Sequence, residues 1–372
     1  MKIGWPSFVT AISLCLPVAV SAATDAAVLP PVALVHHGIR CWHDVAYGDR
    51  GDLPDEGEGF TGKHGGWGSP NRPWKWCRHR SGQFLDVFAS ERGVATNATV
   101  VLYLHGGSWS QRYDKDATPV DLFGPLLAGG AVVGTANYIL QSDITVDKSK
   151  PARKEATFAE MLRDIDAAVA KMGSFARALG VAEPRLVIMG ESAGGHLALL
   201  YAYDQDNPAK LGLGLKHAPR VAKVVDIVGP TAFAEKDLLN SMTLNLILFK
   251  IRNRIFNRLM RRLVGLPDDS PEDEALQLLA KWSPVNLVCP QSVPTVLAYG
   301  KIKKWVDSDG LVLVSQFTLL ERKLAEAGVP CAARMFFPAN HVEVRGKGAK
   351  WIAEQTLPGV ANAGTSETGG TK

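Results

Sequence analysis

The sequence predicts an α/β fold: one mostly parallel sheet of eight strands, helices on both faces, and a helical cap inserted late in the chain. Three observations carry this reading. Short apolar runs alternate with segments of helical period from Gln83 onward. Gly190-Glu-Ser-Ala-Gly194 stands between the apolar run Arg185–Met189 and the helix-forming run Gly195–Ala202, so it lies at a strand-to-helix turn. The 372 residues, 46% hydrophobic and 21% charged, are enough to bury one large core.

The N-terminus carries Lys2, an apolar stretch from Phe8 to Val20, and the small residues Val20-Ser-Ala-Ala23. This is the pattern of a secretory signal peptide over residues 1–22, and the apolar stretch is short for a membrane span. An uncleaved N-terminal anchor is the alternative. The folded domain is expected over 42–356. Trp42–Tyr47 is the first strand, and Asp49–Arg80 is a loop rich in Gly, Pro, Trp and charge. Its tryptophans pack an irregular segment or line a sugar- or aromatic-binding cleft; the first reading is preferred.

Gln83–Ala89, Thr99–Leu104 and Ala131–Asn137 are the next strands. Glu155–Leu179 places Phe158, Met161, Leu162, Ile165, Val169 and Met172 at helical spacing, which predicts an amphipathic crossover helix. The strand of the Gly-x-Ser-x-Gly turn follows, then Val221–Val228. Residues 231–288 interrupt the alternation and form the cap. There, Ser241–Val264 is apolar along Leu244, Leu248, Ile251, Ile255 and Leu259, and basic along Lys250, Arg254, Arg258, Arg261 and Arg262. Such a helix can touch an anionic interface, or pack on the body with its basic face in water. The second reading is preferred because charged helix faces are common. Ser270-Pro-Glu-Asp273 reads as a helix start of capping-box type. Pro294–Tyr299 and Cys331–Phe337 complete the strands, with helices at Leu311–Ala327 and near Lys350–Gln355. Residues 361–372 read as a disordered tail.

A net charge of +4 gives no argument for nucleic acid, and no motif of that class is present. If the chain is exported, Cys15 leaves with the signal, and Cys41, Cys77, Cys289 and Cys331 remain. Pairing by neighbourhood gives Cys41–Cys77 and Cys289–Cys331, with four unpaired thiols as the alternative. Their spacing does not suit zinc.

The turn at Ser192 lifts a hydroxyl above the C-terminal edge of the sheet, and a serine there needs a base within reach. His341 follows the last strand and fits that role. His196, one turn beyond the serine, reads as a packing or capping residue, and His105 as structural. His105-Gly-Gly-Ser-Trp109 ends a strand in small residues, so its backbone N–H groups can turn toward a developing oxyanion. Gly107 and Ser108 are named as donors by analogy with His-Gly-Gly-x loops, together with Ala193, the residue after the nucleophile.

Taken in order, Leu104-His-Gly-Gly-Ser-Trp109, Asn137-Tyr138, Gly190-Glu-Ser-Ala-Gly-Gly-His-Leu-Ala198 and Tyr299-Gly300 resemble the α/β-hydrolase esterase/lipase group. Within it the chain is similar to secreted carboxylesterases of the acetyl- and feruloyl-esterase-like type, from roughly Trp42 to Gln355. The resemblance implies a cofactor-free serine hydrolase acting on a small-molecule or carbohydrate ester. It also exposes a departure. Such enzymes place an aspartate three residues after the glycine that ends the seventh strand, and here that position is Lys303. A lysine cannot orient the histidine or stabilise its cation. Asp307 is preferred as the acid, Asp309 in the same loop is second and Asp226 third; a Ser–His dyad without an acid is also open. The alternatives for function are an amidase, formamidase or peptidase on the same scaffold, and a degenerate hydrolase retained for binding, the latter motivated by Lys303.

Overall fold

The computed structural model describes residues 29, 34–36, 38–49, 82–110, 119–141, 156–233, 258–304, 308–309 and 311–358. The expected signal segment, the tail, Cys77, Asp307, nearly all of the Trp-rich loop and most of the basic cap helix lie outside them.

Among the described residues, nine strands form one sheet: β1 (Leu34–His36), β2 (Ile39–Ala46), β3 (Phe84–Ser90), β4 (Thr99–Leu104), β5 (Val132–Ala136), β6 (Arg185–Glu191), β7 (Val221–Ile227), β8 (Thr295–Gly300) and β9 (Cys331–Phe336). Their spatial order is β1-β2-β3-β5-β4-β6-β7-β8-β9. The first three strands run as an antiparallel meander onto β5, and every pairing from β5 through β4 to β9 is parallel. The eight expected strands are present, and β1 adds a three-residue edge. In β4, β5 and β8 every residue is buried. Alternate side chains of a strand face opposite ways, so helices must cover both faces of the sheet.

The longer helices among the described residues are α1 (Val120–Ala128), α2 (Phe158–Ala178), α3 (Ala193–Asp204), α4 (Glu272–Lys281), α5 (Val314–Glu326) and α6 (Glu343–Thr356). α1 packs against α6 and α2 against α3. α2 buries Phe158, Met161, Leu162, Ile165, Val169 and Met172, the stripe expected from its period. It opens with a capping box in which the Thr157 hydroxyl accepts from the Glu160 N–H and the Glu160 carboxylate accepts from the Thr157 N–H. The box expected at Ser270 does not form. Pro271 stands at the N-cap of α4, where no side chain caps the first turn; three acidic residues there favour the helix dipole instead. α6 is longer than the short helix expected near its C-terminal half.

One further expectation changes. Cys289 and Cys331 are not bonded to each other. Cys331 opens β9 opposite Thr295, whereas Cys289 precedes β8 and turns its thiol toward the Asp206 carbonyl and the Ser292 hydroxyl. In the described part of the cap, residues 258–263 are helical and bury Met260 and Leu263 in the main core. Arg262 of that helix is paired with Asp268 through two contacts of 2.8 Å.

Candidate active site

Ser192 joins β6 to α3 with φ 54° and ψ −119°. A non-glycine residue in such a backbone stores about 1–3 kcal/mol and persists only where its surroundings hold it. The Ser192 N–H donates to the Ile227 carbonyl at 2.8 Å, and the Ser192 carbonyl accepts from the His196 N–H at 3.0 Å. The glycines around it are required by contact. A Cβ at Gly190 would lie 2.2 Å from the Gly194 carbonyl oxygen, and one at Gly194 would lie 2.1 Å from the Leu104 carbonyl oxygen.

The His-Gly-Gly loop leaves β4 beside this turn: a Cβ at Gly106 would sit 3.3 Å from the Ser192 Cβ. Three successive residues, Gly107, Ser108 and Trp109, have φ of 118°, 52° and 58°. A run of positive φ takes the chain out of the strand conformation, so the N–H groups of this loop do not continue the ladder of β4. Among the described residues, no backbone bond uses the N–H of Gly107, Ser108 or Ala193. All three expected donors therefore keep their capacity.

The loop is fixed from behind. The Tyr138 hydroxyl donates to the His105 carbonyl at 2.8 Å, and the two rings stack at 4.5 Å. Trp109 is buried among Phe158, His196 and Phe233. His196 packs, as expected from its place on the helix. Its Nε2–H donates to the Trp282 carbonyl at 2.9 Å, which leaves Nδ1 unprotonated. Burial without a counter-charge drops its pKa to about 3.

The expected base and a carboxylate paired with it lie on the same edge of the sheet. His341 follows β9 and is 7% exposed, and its Nδ1 meets Asp309 Oδ2 at 2.8 Å. The other carboxylate oxygen accepts the N–H groups of Leu311 and Val312 at 2.9 and 2.8 Å, and the Asp309 carbonyl accepts the His341 N–H at 2.9 Å. Asp309 is fully buried. The acid against the base is thus the second-ranked aspartate; the preferred Asp307 lies outside the described residues. The loop after β8 explains the offset. The Ile302 N–H bonds the Ser308 carbonyl and closes an excursion that carries the exposed Lys303. Asp309 returns at its far end.

Asp226, the third-ranked acid, is not at the base. Its Oδ1 accepts the Gly229 N–H at 2.9 Å and lies against Gly195, under the elbow helix. Burial raises its pKa well above the carboxylate range, only partly opposed by the Gly229 bond. Two other His–Asp pairs, His43–Asp86 and His217–Asp204, also measure 3.0 Å. His43 lies within β2 and His217 ahead of β7, so neither stands at the C-terminal edge of a parallel strand.

A strained serine at a strand-to-helix turn, unused N–H donors beside it and a His–Asp pair on the same sheet edge define an α/β-hydrolase. The chain belongs to the BD-FAE family of α/β-hydrolase-like esterases, whose model matches residues 85–324. That span includes the His-Gly-Gly loop, Ser192 and Asp309, and ends before His341. Esterase B from Lactobacillus rhamnosis, solved with an inhibitor, shares 16% identity over 87% of this chain and 86% of its own, with a TM-score of 0.55. A truncated carbohydrate esterase from gut microbiota shares 18% over 85% of this chain and 96% of its own, at 0.55. A bifunctional GH43-CE protein of Bacteroides eggerthii shares 19% over 85% of this chain and 37% of its own, at 0.57. At these identities the likeness is one of fold. No curated protein matches the chain in sequence.

Proposed function

We propose that the protein is an exported serine carboxylic-ester hydrolase that cleaves short O-acyl esters, such as those of acetylated or feruloylated carbohydrate. The observation that carries the mechanism is the 2.8 Å contact between His341 Nδ1 and Asp309 Oδ2. It makes Nδ1–H the donor to the carboxylate and leaves Nε2 as the basic nitrogen. His341 takes the Ser192 proton as Oγ bonds to the ester carbonyl carbon. Charge then develops on the carbonyl oxygen, where the N–H groups of Gly107, Ser108 and Ala193 receive it; one such donor lowers the barrier by about 3–4 kcal/mol. The imidazolium protonates the departing alkoxide and the acyl-enzyme remains. Water attacks it with His341 again as base, releasing the acid and Ser192. Asp309 stays ionised throughout and stabilises the cation beside it.

Labelling by a fluorophosphonate probe tests the nucleophile. We expect labelling of the folded protein, its loss in Ser192→Ala, and a fall in kcat of about a millionfold in that variant. Folded protein that does not label would sink the enzyme reading. The carboxylate against His341 supports the enzyme reading over the degenerate binding protein that Lys303 suggested. Esters are separated from amides by comparing p-nitrophenyl acetate and butyrate with the matching anilides and a dipeptide series. One structural relative is a carbohydrate esterase by name, which makes acetylated xylan and methyl ferulate the first natural-type substrates to test. Export rests on Lys2, the Phe8–Val20 stretch and the small residues after it. Sequencing of mature protein outside the cytoplasm is expected to begin at Ala23.

A further inference from the structure

The residue before the nucleophile carries a buried charge that the acyl-transfer steps leave unused. Glu191 Oε2 accepts the Tyr103 hydroxyl at 2.9 Å and Arg345 Nη1 at 2.5 Å. The Glu191 side chain is 10% exposed and that of Arg345 20%. Burial raises the Tyr103 pKa well above its ordinary value, so its hydroxyl stays a neutral donor. The three groups come from three places: Tyr103 from β4, Glu191 from the last position of β6, and Arg345 from the first turn of α6. α6 begins two residues after His341. One ion pair therefore fastens the turn that carries Ser192 to the helix that anchors the His341 loop.

The Ser192 turn needs such a fastening. Its two backbone bonds, to Ile227 and from His196, tie it to β7 and α3. The loop of His341 is held on its own side by Asn340, whose side chain accepts the N–H groups of Val342 and Glu343, while the Glu343 carboxylate accepts the Asn340 N–H. The Glu191–Arg345 contact spans these two local frames. Desolvation largely offsets the attraction in a buried ion pair, so stability alone is a poor account of it. Proton transfer from serine to histidine, by contrast, is sensitive to ångström-scale misplacement.

We propose that Glu191 and Arg345 brace the nucleophile turn against the base-bearing loop, with Arg345 as a positioning residue for the Ser192–His341 reaction. The inference rests on the serine-hydrolase reading above. In Arg345→Met, kcat toward p-nitrophenyl acetate is expected to fall about 10- to 100-fold with misplacement of the pair. KM is expected to stay within about twofold, because the substrate contacts are untouched. Arg345→Lys, which keeps the charge, recovers part of the loss. The Glu191→Gln/Arg345→Met double variant loses less than the product of the single losses, as coupled partners do. Fluorophosphonate labelling of Ser192 slows in parallel. Folded Arg345→Met that labels and turns over at the wild-type rate, with only a lowered unfolding midpoint, makes the pair merely structural and overturns the proposal. If Arg345→Met yields no folded protein, Glu191→Gln decides by the same readouts. Wild-type protein that never labels would instead defeat the serine reading itself, so the two failures are distinguishable.

Discussion

Asp309 combines two roles that a triad acid must combine: it is immobilised, and it keeps one oxygen for the base. Oδ1 is held by two backbone N–H groups and Oδ2 is left for His341. Asp309→Asn is therefore expected to preserve the loop while presenting the ring with an amide that can hold the wrong tautomer. The expected loss in kcat is about 10³- to 10⁴-fold with little change in KM. Asp307→Asn is expected to leave kcat within about twofold. Steady-state kinetics on one ester checks both, and the opposite ranking would move the acid to Asp307. Ser192, His341 and the three candidate oxyanion donors can be named from the sequence because chemistry restricts residue type and because each sits next to a strand end. The acid was harder to place. Two aspartates share one loop, and the choice depends on how the Ile302–Ser308 excursion closes. The Glu191–Arg345 brace had no readable signal at all, since its partners are 154 positions apart and a lone arginine on a helix is ordinary.

At the scale of elements, the elbow works by removing side chains where backbones cross. At Gly194 an added Cβ would meet the Leu104 and His105 carbonyl oxygens at 2.1 and 2.5 Å, and neither belongs to a side chain that can turn away. Gly194→Ala is expected to destabilise by about 3 kcal/mol or more, the upper end of overpacking effects, because β4 and α3 would have to part. Gly346 is the control. It lies inside α6 with nothing within 4 Å of an added Cβ, so Gly346→Ala is expected to stabilise by about 0.5–1 kcal/mol. Urea unfolding of the two variants checks the pair, and similar midpoints would refute the contact argument. Period made the long elements legible: α2 declared itself by its apolar stripe, and the central strands by their unbroken apolar runs. Elements without period were not. β1 has only three residues, and the start of α6 is set by the reciprocal Asn340–Glu343 contacts rather than by an apolar stripe. At Ser270 a local pattern failed because Pro271 took the cap position.

Across the whole molecule, two buried groups, one on the elbow helix and one packed against it, give stability opposite pH slopes. His196 titrates at about 3 in the folded protein because burial disfavours its cation. Between that value and an unfolded pKa near ~6.5 the unfolded chain binds a proton that the folded one refuses. This contribution is therefore complete above ~6.5 and is lost as pH falls toward 3, at a limit of about 1.4 kcal/mol per pH unit. Asp226 behaves in the reverse sense. Burial raises its folded pKa, so the native carboxyl keeps its proton where the unfolded one has released it. Its contribution is complete below an unfolded pKa of ~3.9 and is lost as pH rises through the folded value. His196→Gln, which retains a donor for the Trp282 carbonyl, is expected to flatten the acid side of the stability–pH curve. Asp226→Asn, an uncharged stand-in for the protonated carboxyl, is expected to raise stability at pH 8 relative to pH 4 and to leave esterase activity unchanged, since its carboxyl lies apart from His341. Unfolding midpoints measured from pH 4 to pH 9 on the two variants and the wild type separate the two effects, because every other titrating group cancels in the differences. A drop in stability of Asp226→Asn at pH 8 larger than at pH 4 would mean that the buried carboxyl is ionised in the folded state. The packing of Gly195 and Gly229 around it would then need a counter-charge from outside the described residues.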